Sequence, residues 1–130
     1  MNKQKIVVGF DGVLTNKAGY SFHNKVEAGL VEGAIDFLIN ASMPYDVYIY
    51  SVRSAYPSGI EAMQNWLYEE CKKHSFFAKN KQAALPFVYL TLKWPTAKPQ
   101  ALISIDDKAY QFTGIFPNVA DLRHFKPWTC

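Results

Sequence analysis

The sequence predicts an α/β fold: a Rossmann-like three-layer sandwich with a mostly parallel sheet. Short apolar runs rich in β-branched and aromatic residues are typical of buried strands, and stretches with helical spacing lie between them. This alternation favours parallel pairing through right-handed crossovers, with helices on both faces of the sheet. The chain has 130 residues, which is the size of one ordinary domain. We therefore expect a single domain over 1–130.

The predicted elements follow the apolar pattern along the chain. Apolar runs predict strands, which fall at 5–10, 46–52, 87–92 and 101–105. Helical spacing predicts a helix over 31–40 and a longer one over 58–74, which ends in basic residues. Residues 12–29 are polar and contain glycine, and we expect them to form an excursion or flap. A turn or short strand near 115–116 and a short helix near 118–124 complete the prediction.

Composition excludes several classes of protein. Hydrophobic residues make up 49% of the chain and charged residues 19%, which excludes a disordered chain. No apolar run reaches the roughly 20 residues of a membrane-spanning helix, and the first apolar stretch is too short for a signal peptide. The net charge of +3 is small, and the scattered basic residues give no clear nucleic-acid signal. Cys71 and Cys130 share no motif spacing, so we expect a reduced, cytoplasmic protein.

Polar residues gather where the predicted strands end. The carboxyl ends of parallel strands meet at one edge of a sheet, where ligands bind. Carboxylates without His or Cys favour a hard cation such as Mg²⁺, and a hydroxyl and a lysine beside it suit a phosphate. The residues at or next to these ends are Asp11, Gly12, Ser51, Arg53, Lys98, Asp106 and Asp107.

These segments resemble the four motifs of the haloacid dehalogenase (HAD) superfamily of phosphohydrolases. The first family motif is an apolar strand followed by Asp-x-Asp-Gly-(Thr/Val), and the matching segment here is Gly9-Phe10-Asp11-Gly12-Val13. Ser51 matches the Ser or Thr that ends the next strand, Lys98 matches the motif lysine, and Asp106-Asp107 match the final acidic pair. All four occur in the family's order. The resemblance implies Mg²⁺-dependent hydrolysis of phosphomonoesters.

The resemblance also implies a role for each matching residue. Asp11 would be a general acid and, through its main-chain carbonyl, a metal ligand, and Ser51 would hydrogen-bond the phosphoryl group. Lys98 would neutralise negative charge on the nucleophile and the phosphate, and Lys93 and Lys108 are nearby alternatives for this role. Gly12 would lie against the substrate. Asp106 and Asp107 would bind the metal.

Structural alternatives stay open for these residues. Asp11 also fits a turn, because Asp-Gly pairs are common there, and Ser51 fits a cap on the following turn. Arg53 either clamps a phosphate in a bidentate manner or is a solvated loop charge. Asp106 and Asp107 also fit helix caps.

The sequence departs from the family at the nucleophile. The first Asp of the family's first motif attacks phosphorus and ligates Mg²⁺, but Gly9 stands at that position. Glycine has no side chain, so it supplies neither function. The resemblance therefore implies an impaired phosphohydrolase. The alternatives are an inactive phosphate- or nucleotide-binding pseudoenzyme and a partner-binding domain.

The spacing of the motifs predicts a domain without a separate cap. Predicted helices and a strand occupy the intervals from Asp11 to Ser51 and from Ser51 to Lys98. An open site would admit a large phosphorylated substrate or ligand, or would need a neighbouring subunit of a homo-oligomer as a lid. The segments 12–29 and 75–86 are the two candidate flaps.

Overall fold

The computed structural model describes residues 3–129 and contains a small parallel sheet. Its strands are β1 (Gln4–Val8), β2 (Tyr45–Ile49) and β3 (Ile103–Ile105), in the order β2-β1-β3. β1 pairs in parallel with both neighbours. The predicted α/β class and three of the four predicted strands are confirmed. Cys130 lies outside the described residues.

Helices connect and follow these strands: α1 (Ala34–Ala41), α2 (Pro57–Lys73), α3 (Ser75–Ala78) and α4 (Ala84–Pro86). Shorter helical turns cover Val52–Ala55, Lys81–Ala83 and Val119–His124. The predicted helices at 31–40, 58–74 and 118–124 are therefore confirmed in outline. α2 begins with a proline, which suits a first helical position, and ends in Lys72 and Lys73, which suit the negative end of the helix dipole. None of the described helices has the length and apolarity needed to cross a membrane.

The predicted strand at 87–92 is wrong, because this segment continues α4 as a π-helical turn over Phe87–Thr91. Ala84, Val88 and Leu92 are fully buried or nearly so, and their spacing of four residues places them on one helical face. The β-branched and aromatic residues between them conceal that spacing. The chain reaches the outer edge of β2 only at Lys93, which forms a single parallel bridge with Tyr48.

The two predicted flap segments differ in structure. Residues 12–29 form turns and bends, with one antiparallel bridge between Thr15 and Leu30 closing the excursion. The segment 75–86 is not a flap, because it is largely helical and Phe77 and Ala84 are buried in the core. Residues 115–116 form neither a helix nor a strand.

The core lies between the helices and one face of the sheet. Ile6, Val8, Val47 and Ile49 alternate onto this face and are almost fully buried. The helices supply the rest of the cluster, including Leu38, Met63, Leu67, Cys71 and Val88. The second helical layer of a three-layer sandwich stays a prediction.

Exposed apolar side chains concentrate in the C-terminal part of the chain. They include Tyr110, Phe112, Ile115, Phe116, Val119, Leu122, Phe125 and Trp128. The end of this segment returns to the first motif, because the Trp128 indole Nε1 donates a hydrogen bond of 2.6 Å to the carbonyl oxygen of Gly12.

Candidate functional site

A cavity of about 260 Å³ opens where the three strands end. Its position matches the rule that ligands of parallel sheets bind beyond the carboxyl ends of the strands. Most of the predicted site residues line it, although they come from distant parts of the chain. These are Asp11, Ser51, Lys98, Asp106 and Asp107, and Gly9 lines the cavity with them, whereas the predicted residues Gly12 and Arg53 are outside this lining.

The carboxylate of Asp11 is bound by protein groups on both oxygens. Arg53 donates from Nε to Oδ2 at 2.9 Å and from Nη2 to Oδ1 at 3.0 Å. Ser51 Oγ donates to Oδ2 at 3.2 Å. The side chains of Arg53 and Asp11 are only 2% and 10% exposed. Asp11 is therefore part of a nearly buried, bidentate ion pair at the inner wall of the cavity.

Arg53 ties the excursion to the end of β2. Its Nη1 donates to the main-chain carbonyls of Phe22, His23 and Lys25 at 3.2, 3.0 and 2.9 Å, and its guanidinium lies 4.4 Å from the ring centroid of Tyr20. The alternative that Arg53 is a solvated loop charge is therefore wrong. Its role as a phosphate clamp stays a prediction, and the guanidinium is already bonded to protein groups.

Ser51 makes three hydrogen bonds within the protein, and one of them bears on ligand binding. Its Oγ caps the turn Val52–Ala55 by accepting the Arg53 N–H at 3.1 Å, and its own N–H donates to Ser54 Oγ at 3.1 Å. The predicted capping role is thus confirmed, while Ser51 also lines the cavity. Its single hydroxyl proton points to Asp11. Donation to a ligand phosphate would require that proton to turn away from the carboxylate.

The first motif contains two glycines, Gly9 and Gly12, at positions where a side chain would meet neighbouring atoms. A Cβ on Gly9 would lie 3.1 Å from Val13 Cγ2 and 3.2 Å from the Ile105 carbonyl oxygen, so a side chain fits there only after a small shift of its neighbours. Gly12 has a φ of +79°, in the left-handed region that favours glycine. A Cβ at Gly12 would also overlap the carboxylate of Asp107. Gly12 is outside the cavity lining, and the lack of a side chain there leaves room for the Asp107 carboxylate.

The acidic pair after β3 has an incomplete set of hydrogen bonds. Asp106 Oδ1 accepts the Lys108 N–H at 3.0 Å. Asp107 Oδ2 is buried and has no hydrogen-bond partner among residues 3–129. Burial raises the pKa of Asp107, and the neighbouring Asp106 carboxyl raises it further. An unpartnered buried carboxylate oxygen is unfavourable unless a proton or a cation compensates it.

The donor set agrees with a water-rich Mg²⁺ site better than with a closed protein cage. No group of three or more His, Cys, Asp or Glu residues in the described part of the chain is arranged to hold a metal. Mg²⁺ keeps several waters, and one or two carboxylates together with a phosphate are often enough to hold it. Asp106 and Asp107 supply two carboxylates, and the unpartnered Asp107 Oδ2 fits this requirement.

Some lining residues have only weak sequence signals. Tyr50 directly follows β2 and Ser104 is the middle residue of β3, and alternation along the strands is the signal that could have identified them. Lys108 lines the cavity together with Lys98, although the sequence offered it only as a rival of that lysine. Lys93 instead donates to the carbonyl oxygen of Leu90.

The fold and the site define an α/β protein with a cavity at the ends of its parallel strands, in which charged and hydroxyl side chains lie among apolar ones. Comparison with protein-family models, curated proteins and solved structures found no significant match. Assignment to a family therefore depends on the motif residues and on the geometry that joins them.

Proposed function

We propose that this chain is a HAD-type domain, with the family's Rossmann-like architecture, that binds a phosphorylated ligand without hydrolysing it. The observation that supports the proposal most strongly is that residues from all four motif segments line one cavity. Lys98 and Lys108 supply positive charge to the same cavity that the Ser51 hydroxyl lines. Cations and a hydroxyl at a strand-end cavity suit a phosphate group.

Binding without turnover is better supported than hydrolysis. The covalent route lacks its nucleophile because Gly9 has no side chain. A non-covalent route would need a base to activate water. Asp11 is the carboxylate that the resemblance offers for this step, but both of its oxygens already accept hydrogen bonds from Arg53 or Ser51.

A purely partner-binding domain is less well supported. Such a domain has no need to keep two lysines, a serine and an acidic pair around a cavity at the strand ends. Buried polar groups are unfavourable without partners, and Asp107 Oδ2 is such a group among the described residues. A ligand or cation that compensates this carboxylate accounts for the arrangement.

Asp106 and Asp107 are the residues that would hold Mg²⁺ in this proposal. The ion would supply positive charge to the ligand phosphate. Ser51 and Lys98 would orient the phosphate through a hydrogen bond and a charge contact. The loss of the carboxylate at Gly9 makes the cavity less negative than the family pattern, which favours retention of an anion over its release.

Calorimetric titration with inorganic phosphate in the presence of Mg²⁺ tests the proposal. We expect measurable binding that weakens at least tenfold in Lys98→Gln, because a charge-assisted contact is lost. Lys93→Gln is the matched control and should bind as the unaltered protein does, because Lys93 contacts the Leu90 carbonyl outside the cavity. Absence of phosphate binding, or equal binding by both variants, would overturn the proposal. Turnover of phosphomonoesters by the unaltered protein would contradict the proposal that the ligand is bound without hydrolysis.

A further inference from the structure

An apolar groove of about 490 Å³ lies in the C-terminal segment next to the cavity. Tyr110, His124 and Phe125 contribute rings to its lining, and Leu122 contributes an aliphatic side chain. Tyr110 and Phe125 are 55% and 46% exposed, so their rings are available to a bound molecule. Three aromatic rings in one groove are typical of a site that receives a flat apolar group.

The groove and the cavity are neighbours. Lys108 lines both of them, and it follows directly on Asp106 and Asp107. A ligand whose phosphate is bound in the cavity therefore has the groove on the other side of Lys108. Both linings mix charged and apolar residues. The cavity carries Ser51 and the acidic pair Asp106 and Asp107, whereas the groove carries one carboxylate, that of Asp121, among its rings and Leu122.

We propose that the groove binds the body of the phosphorylated ligand, and that this body is aromatic. The ligand is then a phosphomonoester of an aromatic group, with its phosphate near Lys98 and Lys108 and its ring against Tyr110 and Phe125. This inference rests on the function proposed above. It adds the chemical class of the ligand, which the four motifs do not determine.

The aromatic class follows from the rings in the lining. An aromatic body gains stacked or edge-to-face contacts with Tyr110, His124 and Phe125 in addition to the burial of apolar area. A short alkyl body cannot make these contacts. Lys108 adds a cation at the point where the phosphate and the ring meet, and Lys108 is shared by both linings.

Calorimetric titration with a series of phosphates tests this inference. We expect phenyl phosphate, or adenosine 5′-monophosphate, to bind about tenfold more tightly than methyl phosphate, which corresponds to one good aromatic contact. If phenyl phosphate binds more tightly than the nucleotide, the groove accepts a single ring. If the nucleotide binds more tightly, the groove accepts a nucleobase. Methyl phosphate binding as tightly as both aromatic esters would overturn the inference.

Variants of the groove separate this inference from the proposed function. Phe125→Ala should remove the advantage of the aromatic ester and leave inorganic phosphate binding unchanged. Phe116→Ala is the matched control, because Phe116 is an exposed ring of the same segment that is not in the groove lining. If Phe125→Ala and Phe116→Ala bind every ligand alike, the groove inference fails while phosphate binding still stands. If no phosphate binds to the unaltered protein, the proposed function fails.

Discussion

Arg53 holds Asp11 in a bidentate ion pair, with Nε 2.9 Å from Oδ2 and Nη2 3.0 Å from Oδ1. The same guanidinium bonds three carbonyls of the excursion. One side chain therefore fixes the first motif, the turn after β2 and the excursion relative to each other. Arg53 therefore links three segments that contribute residues to the cavity lining.

Arg53→Gln should lower the free energy of unfolding by about 3–5 kcal/mol, because it leaves the nearly buried Asp11 carboxylate without its partner. Urea denaturation measures the loss. Lys72→Gln is the control for an ion pair with the exposed carboxylate of Glu69, and its effect on the free energy of unfolding should be much smaller. Asp11→Asn combined with Arg53→Gln should recover part of the loss. Equal effects of Arg53→Gln and Lys72→Gln would contradict this account.

Gly12→Ala should destabilise the protein more than Gly19→Ala. Both glycines have a left-handed φ, +79° and +76°, so each substitution carries backbone strain of about 1–2 kcal/mol. Only at Gly12 would the added Cβ also overlap Asp107, whereas the space around Gly19 is open. Thermal unfolding of the two variants gives the difference in stability that is due to the overlap. A second substitution, Asp107→Ala, should reduce this difference. Equal losses in the two single variants would show that the overlap has no energetic weight.

The stability of the protein should fall as the pH rises through the titration of Asp107 in the absence of Mg²⁺. The pKa of Asp107 is raised in the folded state, mainly by burial, so the folded chain binds this proton more tightly than the unfolded chain. At pH values below the pKa of the unfolded state, about 3.9, Asp107 therefore causes no loss of stability. The free energy of unfolding then falls as the pH rises through the pKa of the folded state.

Asp107→Asn removes this titration. Denaturant unfolding in EDTA at a series of pH values measures the free energy of unfolding of both proteins. The value for the variant should increase relative to that of the unaltered protein as the pH rises from about 4. The gain should disappear below the unfolded pKa. Mg²⁺ at neutral pH should stabilise the unaltered protein more than the variant. A difference between the two proteins that is independent of pH would contradict the prediction.

Under the proposed function, Gly9→Asp should give phosphomonoester turnover that requires Mg²⁺, because it places a carboxylate where the HAD family has its nucleophile while Ser51 and Lys98 stay in the lining. Gly9→Ala controls for the added Cβ, which meets Val13 and the Ile105 carbonyl at 3.1 and 3.2 Å. Phosphate release is expected from Gly9→Asp alone. A folded Gly9→Asp variant without turnover would remove the support for the nucleophile assignment.

The position of the site could be predicted because it depends on strand ends. A short apolar run identifies β1, and parallel pairing then brings the residues after β1, β2 and β3 to one edge. The convergence of Asp11, Ser51 and Asp106 needs no knowledge of side-chain packing. It follows from strand direction alone, which the alternation of strands and helices indicates.

The remaining features depend on contacts between distant residues. The helix through Val88 carries β-branched and aromatic residues, and its burial against the core outweighs their preference for strands. The partners of Arg53 include main-chain carbonyls of the excursion, which have no side-chain signature. The close approach of Gly12 to Asp107 likewise has no local sequence signal.

The hydrogen bond from Trp128 to the Gly12 carbonyl joins residues 116 positions apart. During synthesis, the acceptor is therefore made well before the donor. Gly12 leaves the ribosome long before Trp128 does, since the chain emerges from its N-terminus. A nascent chain arrested before Trp128 already contains all three strands and all four motif segments, but not the indole that bonds the first of them. The contact that ties Gly12 to this later part of the chain therefore forms only after Trp128 has been synthesised.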